Sequence, residues 1–457
     1  KGVEEKLEAA EAALAALFPS TGSLDSTTRD FIGKIAAIRS NLAVAQQNAE
    51  AILVQAHRAL EFLLPDNLAY RSSVTRDMGF AYNLQGNRTE ARRSFAEALS
   101  ISKVSGDVVE PLLSIIGLAQ IYELENQLYL ADEYYQRILP KISDYSILNA
   151  GVVYIGMARI HFQWNNLDTA EKFVEKSLQL AQQFSQIPHR LFTSELLLAH
   201  LKLARGDLGS SSAILSQAEQ VARQYNFPHR IPNVISARVM ILLRQGDLAI
   251  ADQLTLQHDI PISRARVLLA QGNPSAALSL LESFRKQMEV KNWQDERLKT
   301  IVLQAVAFHL SGDNNKALEC LSEALALAEP NGFIRLFLDE GALMAELLSI
   351  AASHGLHRDY VTKLLTAFES ETTGKQPQSS IPGSRPSLLE STLVEPLSPR
   401  ELEILHLLAK GLSNQQICQC LYLALDTVKG HNRRIFDKLN VKSRSEAVAC
   451  ARELGLL

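Results

Sequence analysis

A chain of 457 residues, 47% of them hydrophobic, is long enough for two to four domains with sizeable cores. Its net charge of −4 is unevenly spread: residues 396–457 carry nine Lys and Arg against six Asp and Glu, a local charge of +3, which leaves −7 for the remainder. This asymmetry excludes a generally basic protein and favours one end that faces nucleic acid.

Four cysteines are too few for a disulfide framework in a chain of this length. Cys418 and Cys420 stand two positions apart on a predicted helix, so their side chains diverge, and we interpret them, like Cys320 and Cys450, as ordinary helix residues. The chain has no apolar run of ~18 residues and no signal peptide, which predicts a soluble, cytoplasmic protein without a membrane partner. Because it starts at Lys1 rather than Met, we expect it to be a piece of something longer.

Residues 1–39 are predicted to form a helical junction. An Ala- and Glu-rich helix spans Glu4 to Leu17, a Pro-Ser-Thr-Gly break follows, and a second helix opens at Thr28. We interpret this part as the remnant of an upstream junction.

A repeated pattern dominates residues 40–330. A small or polar turn residue is followed five positions later by Ala, or once by Ser. The pairs are Gln46/Ala51, Gly86/Ala91, Asn126/Ala131, Asn165/Ala170, Gly206/Ser211, Gly246/Ala251, Gly272/Ala277 and Gly312/Ala317, at steps of 40, 40, 39, 41, 40, 26 and 40 residues. Such a period indicates stacked helical hairpins, in which small residues permit the reversal and Ala lets the second helix close against the first. Pro261 lies in the short step and is predicted to truncate a helix.

The better copies resemble tetratricopeptide repeats. The matching residues are Gly79, Tyr82, Ala91, Phe95 and Ala98 in one copy and Tyr122, Ala131 and Tyr135 in the next, although the period exceeds the usual ~34 residues. We therefore predict that residues 40–368 form an all-α, tetratricopeptide-like superhelix with a concave face. Such a domain can serve as a scaffold or as a sensor, and for repeats as a class we favour binding of an effector ligand or a protein.

Residues 369–395 are predicted to be a flexible linker. From Glu369 to Pro396, fifteen of 28 residues are Ser, Thr, Pro or Gly, which leaves too little apolar content to fold. Residues 396–457 then form a separate domain.

The helix starts predicted in this last domain share one N-capping pattern. Ser-x-x-Glu/Gln capping boxes pair Ser398 with Glu401, Ser413 with Gln416, and Ser443 with Glu446. Asp426 is a further predicted N-cap, while Gly411 and Gly455 suit the closing positions of the first and last helices. Four short helices result, and the tight connection between the second and third predicts a helix-turn-helix.

The third of these helices is predicted to carry one basic and one apolar face. Its buried stripe is Val428, Ile435 and Leu439. The basic residues from 429 to 444, opposed by the single acid Asp437, are Lys429, Arg433, Arg434, Lys438, Lys442 and Arg444. Alone, this charge run would favour a solvated surface; joined to the helix spacing, it favours docking in a DNA major groove.

The segment resembles the LuxR-type DNA-binding domain through L-S-P-R-E-L-E-I-L, A-K-G-L-S-N-Q-Q-I, D-T-V-K-G-H, K-L-N-V-K-S-R and E-L-G-L-L. The resemblance implies that the helix starting at Thr427 is the recognition helix. Lys429, Gly430 and Arg433 would face the groove, and Arg434 is also expected to bind DNA. The residues expected near the DNA backbone or bracing the fold are Thr427, His431, Lys438, Lys442 and Arg444. The sequence departs from the family pattern at Gly430, where the family usually has a larger residue, and at Cys418 and Cys420 in the scaffold helix.

The stretch N-G-F-I-R-L-F-L-D-E-G, Asn331 to Gly341, looks like the end of the repeat domain in the large ATP-dependent, MalT-like LuxR regulators. Those proteins carry an upstream P-loop domain. This chain has no G-x-x-x-x-G-K-[ST], because Gly33-Lys34 is followed by Ile35 and Gly374-Lys375 lies in the linker. We therefore expect no cofactor in this chain, with ATP implied only for an upstream domain.

The resemblance implies a bacterial, sequence-specific transcriptional activator. Its expected partners are double-stranded DNA, a second copy paired through the last helix on DNA, RNA polymerase, and an unidentified effector on the repeats. The alternative is an interaction scaffold whose C-terminal domain has little sequence-specific DNA binding. Most of the eleven histidines fall on predicted helical faces without a Cys, Ser or carboxylate partner at useful spacing, so we expect neither an enzyme nor a metal site.

Overall fold

The computed structural model describes residues 2–17, 25–145, 147–183, 188–225, 227–372, 399–409, 412–421, 425–439, 441 and 443–453. Within these ranges all regular secondary structure is helical, without a strand, which confirms the predicted all-α class. The chain divides into two compact units, residues 1–376 and 377–457. The sequence predicts four parts rather than two, and the boundaries between those four parts stay a prediction.

Helical hairpins make up most of the described part of the first unit, after a first helix α1 (Gly2–Leu17). The eight hairpins are α2 (Ser26–Ala45) with α3 (Ala49–Phe62), α4 (Leu68–Leu84) with α5 (Arg88–Ser105), α6 (Val109–Leu124) with α7 (Leu128–Tyr145), α8 (Ile147–Gln163) with α9 (Leu167–Gln183), α10 (Pro188–Ala204) with α11 (Leu208–Gln224), α12 (Ile231–Gln245) with α13 (Leu248–Gln257), α14 (Pro261–Ala270) with α15 (Pro274–Lys291), and α16 (Gln294–Leu310) with α17 (Asn314–Ala328). Each hairpin packs on its neighbours, so that a core builds up along the stack.

Short elements join and follow the hairpins. The 3₁₀ turns η1 (Pro228–Arg230) and η2 (Glu329–Asn331) precede α12 and follow α17. The unit ends with α18 (Arg335–Leu338), α19 (Gly341–Ser353) and α20 (Arg358–Thr372), the last of which runs past the predicted boundary at residue 368.

The predicted hairpin turns are confirmed at seven of the eight positions. Their turn residues adopt left-handed backbone angles, with φ of 77° at Gly86, 61° at Asn126, 59° at Asn165, 80° at Gly206, 80° at Gly246, 73° at Gly272 and 85° at Gly312. Glycine and asparagine are the residues that tolerate this conformation best. The positions of these seven turns could therefore be predicted from the residue types in the sequence.

The first copy was predicted one residue out of register. The left-handed residue is Gln47, with φ of 55°, rather than Gln46. The side chain of Asn48 accepts a hydrogen bond from the amide of Ala51 at 3.1 Å, and this cap sets the start of α3. Ile52, which is fully buried, therefore takes the closing position predicted for Ala51.

The closing positions of the other seven copies are buried, as predicted. Ala91, Ala131, Ala170, Ala251, Ala277 and Ala317 have no exposed surface, and Ser211 has 1%. The hydroxyl of Ser211 donates to the carbonyl of Ala199 at 2.8 Å, so this polar residue satisfies its hydrogen bond inside the hairpin. Small side chains here let the paired helices approach closely.

The predicted truncation at Pro261 and the predicted helix start at Thr28 lie close to what the structure shows. Pro261 is the first residue of α14, a position that suits its missing N–H, and α13 and α14 are both only 10 residues long. Near the N-terminus, α2 begins at Ser26 rather than Thr28, because the carboxylate of Asp25 accepts the Thr28 amide at 2.9 Å and caps the helix. The predicted break between α1 and α2 lies outside the described residues.

The second unit contains α21 (Pro399–Ala409), α22 (Asn414–Leu421), α23 (Leu425–Lys438) and α24 (Arg444–Glu453). The predicted buried stripe of α23 is confirmed, since Val428 and Ile435 are fully buried and Leu439 is 4% exposed. Apolar residues from all four helices complete this core, including Ile404, Leu405, Leu408, Ile417, Ala447 and Ala451.

Two of the predicted capping boxes form. The Ser413 hydroxyl accepts the Gln416 amide at 3.3 Å, and the Gln416 side chain accepts the Ser413 amide at 2.8 Å. The Ser443 hydroxyl accepts the Glu446 amide at 3.3 Å and donates to the Glu446 carboxylate at 2.8 Å. Ser398, Gly411 and Gly455 lie outside the described residues.

Asp426 is not the N-cap of α23, contrary to the prediction. The helix begins at Leu425, which places Asp426 inside its first turn and the predicted start at Thr427 two residues late. An acid in the first turn still complements the positive end of the helix dipole, so the same residue type suits either position.

Candidate nucleic-acid interface

Helix α23 separates its charged face from its buried face. Lys429, Arg433 and Arg434 are exposed, whereas Val428 and Ile435 have no exposed surface. Lys429 and Arg433 are four residues apart, so they share one side of the helix. The core contacts hold the helix in place while these three cations face outward.

A buried amide contact fixes α23 against α22. Asn432 is 8% exposed, and its side-chain nitrogen donates to the side-chain oxygen of Asn414, the first residue of α22, at 2.9 Å. Asn432 is not among the residues predicted from the sequence. Its signal was the spacing, because position 432 continues the stripe of Val428, Ile435 and Leu439 at steps of four, three and four.

Lys438 pairs inside the unit with Glu401. Its ammonium lies 3.0 Å from the Glu401 carboxylate, with the two side chains 16% and 4% exposed. The contact joins the last residue of α23 to the first turn of α21. This supports the bracing role, one of the two that the sequence left open for Lys438.

Arg444 also has an intramolecular partner. Its guanidinium donates to the carbonyl of Leu408 at 2.8 Å, near the C-terminal end of α21. Carbonyls of the last helical turn lack partners within the helix, and an arginine there satisfies one of them and matches the negative helix end. Arg444 thus ties the start of α24 to α21.

A groove of about 790 Å³ opens beside these residues. Lys429 and Arg433 from α23 and Arg444 from α24 line it, opposite Asn414 and Gln415 at the positive N-terminal end of α22. The described residues that line the groove include no acid. Such a surface suits a polyanion, because both its side chains and its helix end favour negative charge.

Gly430 is half-exposed on α23. A Cβ built there would meet nothing within 4 Å, so no contact within the unit requires a glycine. His431 is half-buried. Thr427 lies in α23 but its side chain is outside the description, and Lys442 lies outside the described residues altogether.

The described residues contain no cluster of three His, Cys, Asp or Glu side chains able to hold a metal ion. None of their helices combines the length and the hydropathy that a membrane crossing needs.

Two family models match the chain. The MalT-like TPR region matches residues 33–354, and the luxR family of bacterial regulatory proteins matches residues 395–451. Between them they cover the stacked hairpins and the unit that contains α23.

Similar proteins carry the name HTH-type transcriptional regulator MalT. The one from Vibrio cholerae is 24% identical over 452 residues, which covers 92% of this chain and 49% of that protein. The one from Yersinia enterocolitica is 24% identical over 447 residues, with the same two coverages. The chain thus spans about half the length of these relatives.

Among solved structures, that of a Rap protein complexed with competence and sporulation factor covers 81% of this chain and 94% of its own, at 13% identity and a TM-score of 0.43. A similarity this low says nothing about function. The match over residues 33–354 does assign the repeats: the chain belongs to the family of the MalT-like TPR region, and it carries a C-terminal luxR-family helix-turn-helix unit.

Proposed function

We propose that this chain is the sensing and DNA-binding part of a sequence-specific transcriptional activator that works in the bacterial cytoplasm. The observation that carries the proposal is the division of α23, which exposes Lys429, Arg433 and Arg434 while Val428 and Ile435 are fully buried. A helix held in this way behind a second helix is the arrangement that reads the major groove. The relatives' name, HTH-type transcriptional regulator, supports the same function.

In this proposal the residues of the second unit divide into two roles. Lys429, Gly430 and Arg433 face base edges, while Thr427, His431, Arg434 and Lys442 lie near the DNA backbone. Lys438 and Arg444 support the helix from behind through Glu401 and the Leu408 carbonyl. Base contacts would then set the preferred sequence, and backbone contacts would set affinity and its salt dependence.

The wider assembly follows from the same proposal. Residues 1–39 form a junction, and residues 40–368 bind an effector ligand or protein. Residues 369–395 connect these repeats to residues 396–457, which bind DNA. Two copies pair through the last helix on inverted half-sites and act on RNA polymerase. A short helix such as α24 buries little surface, so we expect pairing to need DNA.

Selection of duplexes from a random library by the full chain tests the proposal. We expect an enriched sequence, bound with an affinity that falls linearly with the logarithm of salt concentration. Random duplexes, used as the control, should bind more weakly at every salt concentration. Failure to enrich any sequence would favour the scaffold alternative.

A further inference from the structure

The two tryptophans of the chain lie in the first unit where turns of early hairpins contact residues 293–295 and 331–335. We call this line of contacts the seam. The indole N–H of Trp164 donates to the carbonyl of Asn331 at 2.9 Å, and that of Trp293 donates to the carbonyl of Gly86 at 2.7 Å. The bonded residues are 167 and 207 positions apart. Early hairpins therefore contact the last hairpin and the segment behind it.

Further long-range contacts follow the same seam. The guanidinium of Arg88 lies 2.5 Å from the carboxylate of Asp295, and the side chain of Asn126 donates to the carbonyl of Gln294 at 2.9 Å. The amide of Ile334 donates to the carbonyl of Gln163 at 2.8 Å. The residues that the early hairpins contribute to the seam lie in or next to their turns. A series of these turns therefore contacts the start of the last hairpin and the segment after it.

Gly86 shows how closely the two sides approach. A Cβ built there would lie 2.2 Å from Cζ2 of Trp293. Because every residue other than glycine has a Cβ, any substitution would force the backbone or the indole to move. The Arg88 guanidinium lies over the same indole, 4.8 Å from the ring centre. The seam is therefore packed as tightly as a core at this point.

Arg335 lies in the seam and is completely buried. Its Nε donates to Asp339 at 2.7 Å, and its Nη1 donates to the side chain of Asn165 at 3.1 Å and to the carboxylate of Glu371. Asn165 is a turn residue of the fourth hairpin, and Glu371 lies in the last turn of α20. One side chain thus joins an early turn, the segment after the hairpins, and the helix after which the chain continues to the DNA-binding unit.

The polar network around Arg335 is incompletely satisfied. Among the described atoms, its buried Nη2 has no hydrogen-bond partner. A buried, hydrogen-bonded charge adds little net stability while every partner is present, and it becomes costly when a partner is lost. Loss of the Asn165 or Glu371 contact would therefore leave the buried guanidinium with fewer partners and carry a large cost.

We propose that the seam is a latch that is closed in this structure and open in a second state. The Arg335–Glu371 pair transmits the change between the two states to the end of α20. The proposal rests on the proposed function only where it concerns DNA binding. In the open state the early turns separate from residues 293–295 and 331–335, and both indoles lose their carbonyl partners. Contact between Arg335 and Glu371 couples that change to the residues that lead toward the second unit.

A matched pair of glycine variants of the full chain tests the latch. Gly86→Ala places a methyl group against Trp293 and should wedge the seam open. Gly206→Ala imposes the same backbone strain, because its φ is 80° against 77° at Gly86, but its Cβ would meet nothing within 4 Å. We expect acrylamide to quench tryptophan fluorescence at least twofold more efficiently in Gly86→Ala than in Gly206→Ala. Equal quenching in the two variants would overturn the latch.

A double-mutant cycle tests the coupling. Gly86→Ala should change the apparent Kd for the selected duplex at least threefold, and the change should vanish when Glu371→Gln is present. Glu171→Gln, which removes the 2.8 Å partner of Lys202 away from the seam, is the control and should leave the change intact. The same change in all backgrounds would refute coupling through Glu371.

The two proposals fail in distinguishable ways. If the parent chain binds no duplex, the proposed function fails, while quenching still decides the latch. Amide hydrogen exchange of residues 366–372 then replaces the Kd as the readout of coupling. We expect exchange there to be faster in Gly86→Ala than in Gly206→Ala, and equal rates would refute the coupling.

Discussion

Lys438 and Glu401 form an ion pair of 3.0 Å across 37 positions of sequence, with Glu401 almost completely buried. Removing the cation alone takes the Lys438 ion pair away from a carboxylate that lies in a low-dielectric site. We expect Lys438→Met to destabilise the second unit by about 3–5 kcal/mol, measured by thermal unfolding of the full chain.

The double variant Lys438→Met, Glu401→Leu supplies the control, because it removes both charges together. It should recover most of the lost stability and bind the selected duplex as the parent does. Recovered stability with weakened DNA binding would show that Lys438 contacts DNA directly and contradict the bracing role.

Lys429 and Arg433 should carry base recognition. We expect Lys429→Ala and Arg433→Ala each to weaken binding to the selected duplex by about 1–3 kcal/mol, with a smaller effect on random DNA. Lys442→Ala should weaken all sequences alike and lower the salt slope by about one. Titrations at several salt concentrations make the comparison, with exposed Arg223 of α11 as the control position. Equal losses on both kinds of DNA would contradict the division of roles.

Gly430 should be replaceable without a clash. Since a Cβ there meets nothing within 4 Å, Gly430→Ala should raise the stability of the second unit by about 0.5–1 kcal/mol through reduced freedom of the unfolded chain. Thermal unfolding measures this gain. If position 430 faces the groove, the selected sequence should change at one base pair per half-site with the salt slope unaltered. An unchanged selected sequence would identify the glycine as neutral drift.

Asp132 should make stability depend on pH. Burial raises the pKa of its carboxyl to about 6 from an ordinary value of 3.8, against the lowering effect of a 2.5 Å hydrogen bond from Gln136. The native carboxyl therefore keeps its proton to higher pH than the unfolded one, and this contribution to stability is lost as pH rises from about 4 to about 6. Asp132→Asn should remove the loss and stabilise the protein at pH 7 by about 1–3 kcal/mol.

The difference between Asp132→Asn and the parent is the quantity to measure, because other groups titrate in the same range. Burial lowers the pKa of His161 to about 4, so its contribution is lost as pH falls from about 6.5. That effect is common to both proteins and cancels in the difference. Denaturant midpoints at pH 4.5 and 7 that differ between the two proteins by the same amount would contradict the assignment to Asp132.

Local signals in the sequence determined the architecture. The turn residues from Gly86 to Gly312, the alanines that follow them, and the capping boxes at Ser413 and Ser443 act within a few residues of themselves. Backbone conformation and helix capping are short-range physics, so these features could be predicted. The errors were also local, a one-residue register shift at Gln47 and a cap placed at Asp426.

Tertiary structure alone decided which residues meet. No spacing in the sequence indicates that Trp293 bonds to Gly86, that Arg335 is completely buried, or that Lys438 pairs with Glu401. The seam depends on the rotation accumulated over the stacked hairpins, to which every hairpin adds a small angle. Pairing across hundreds of residues is therefore a property of the whole stack, and it appears only once the chain is folded.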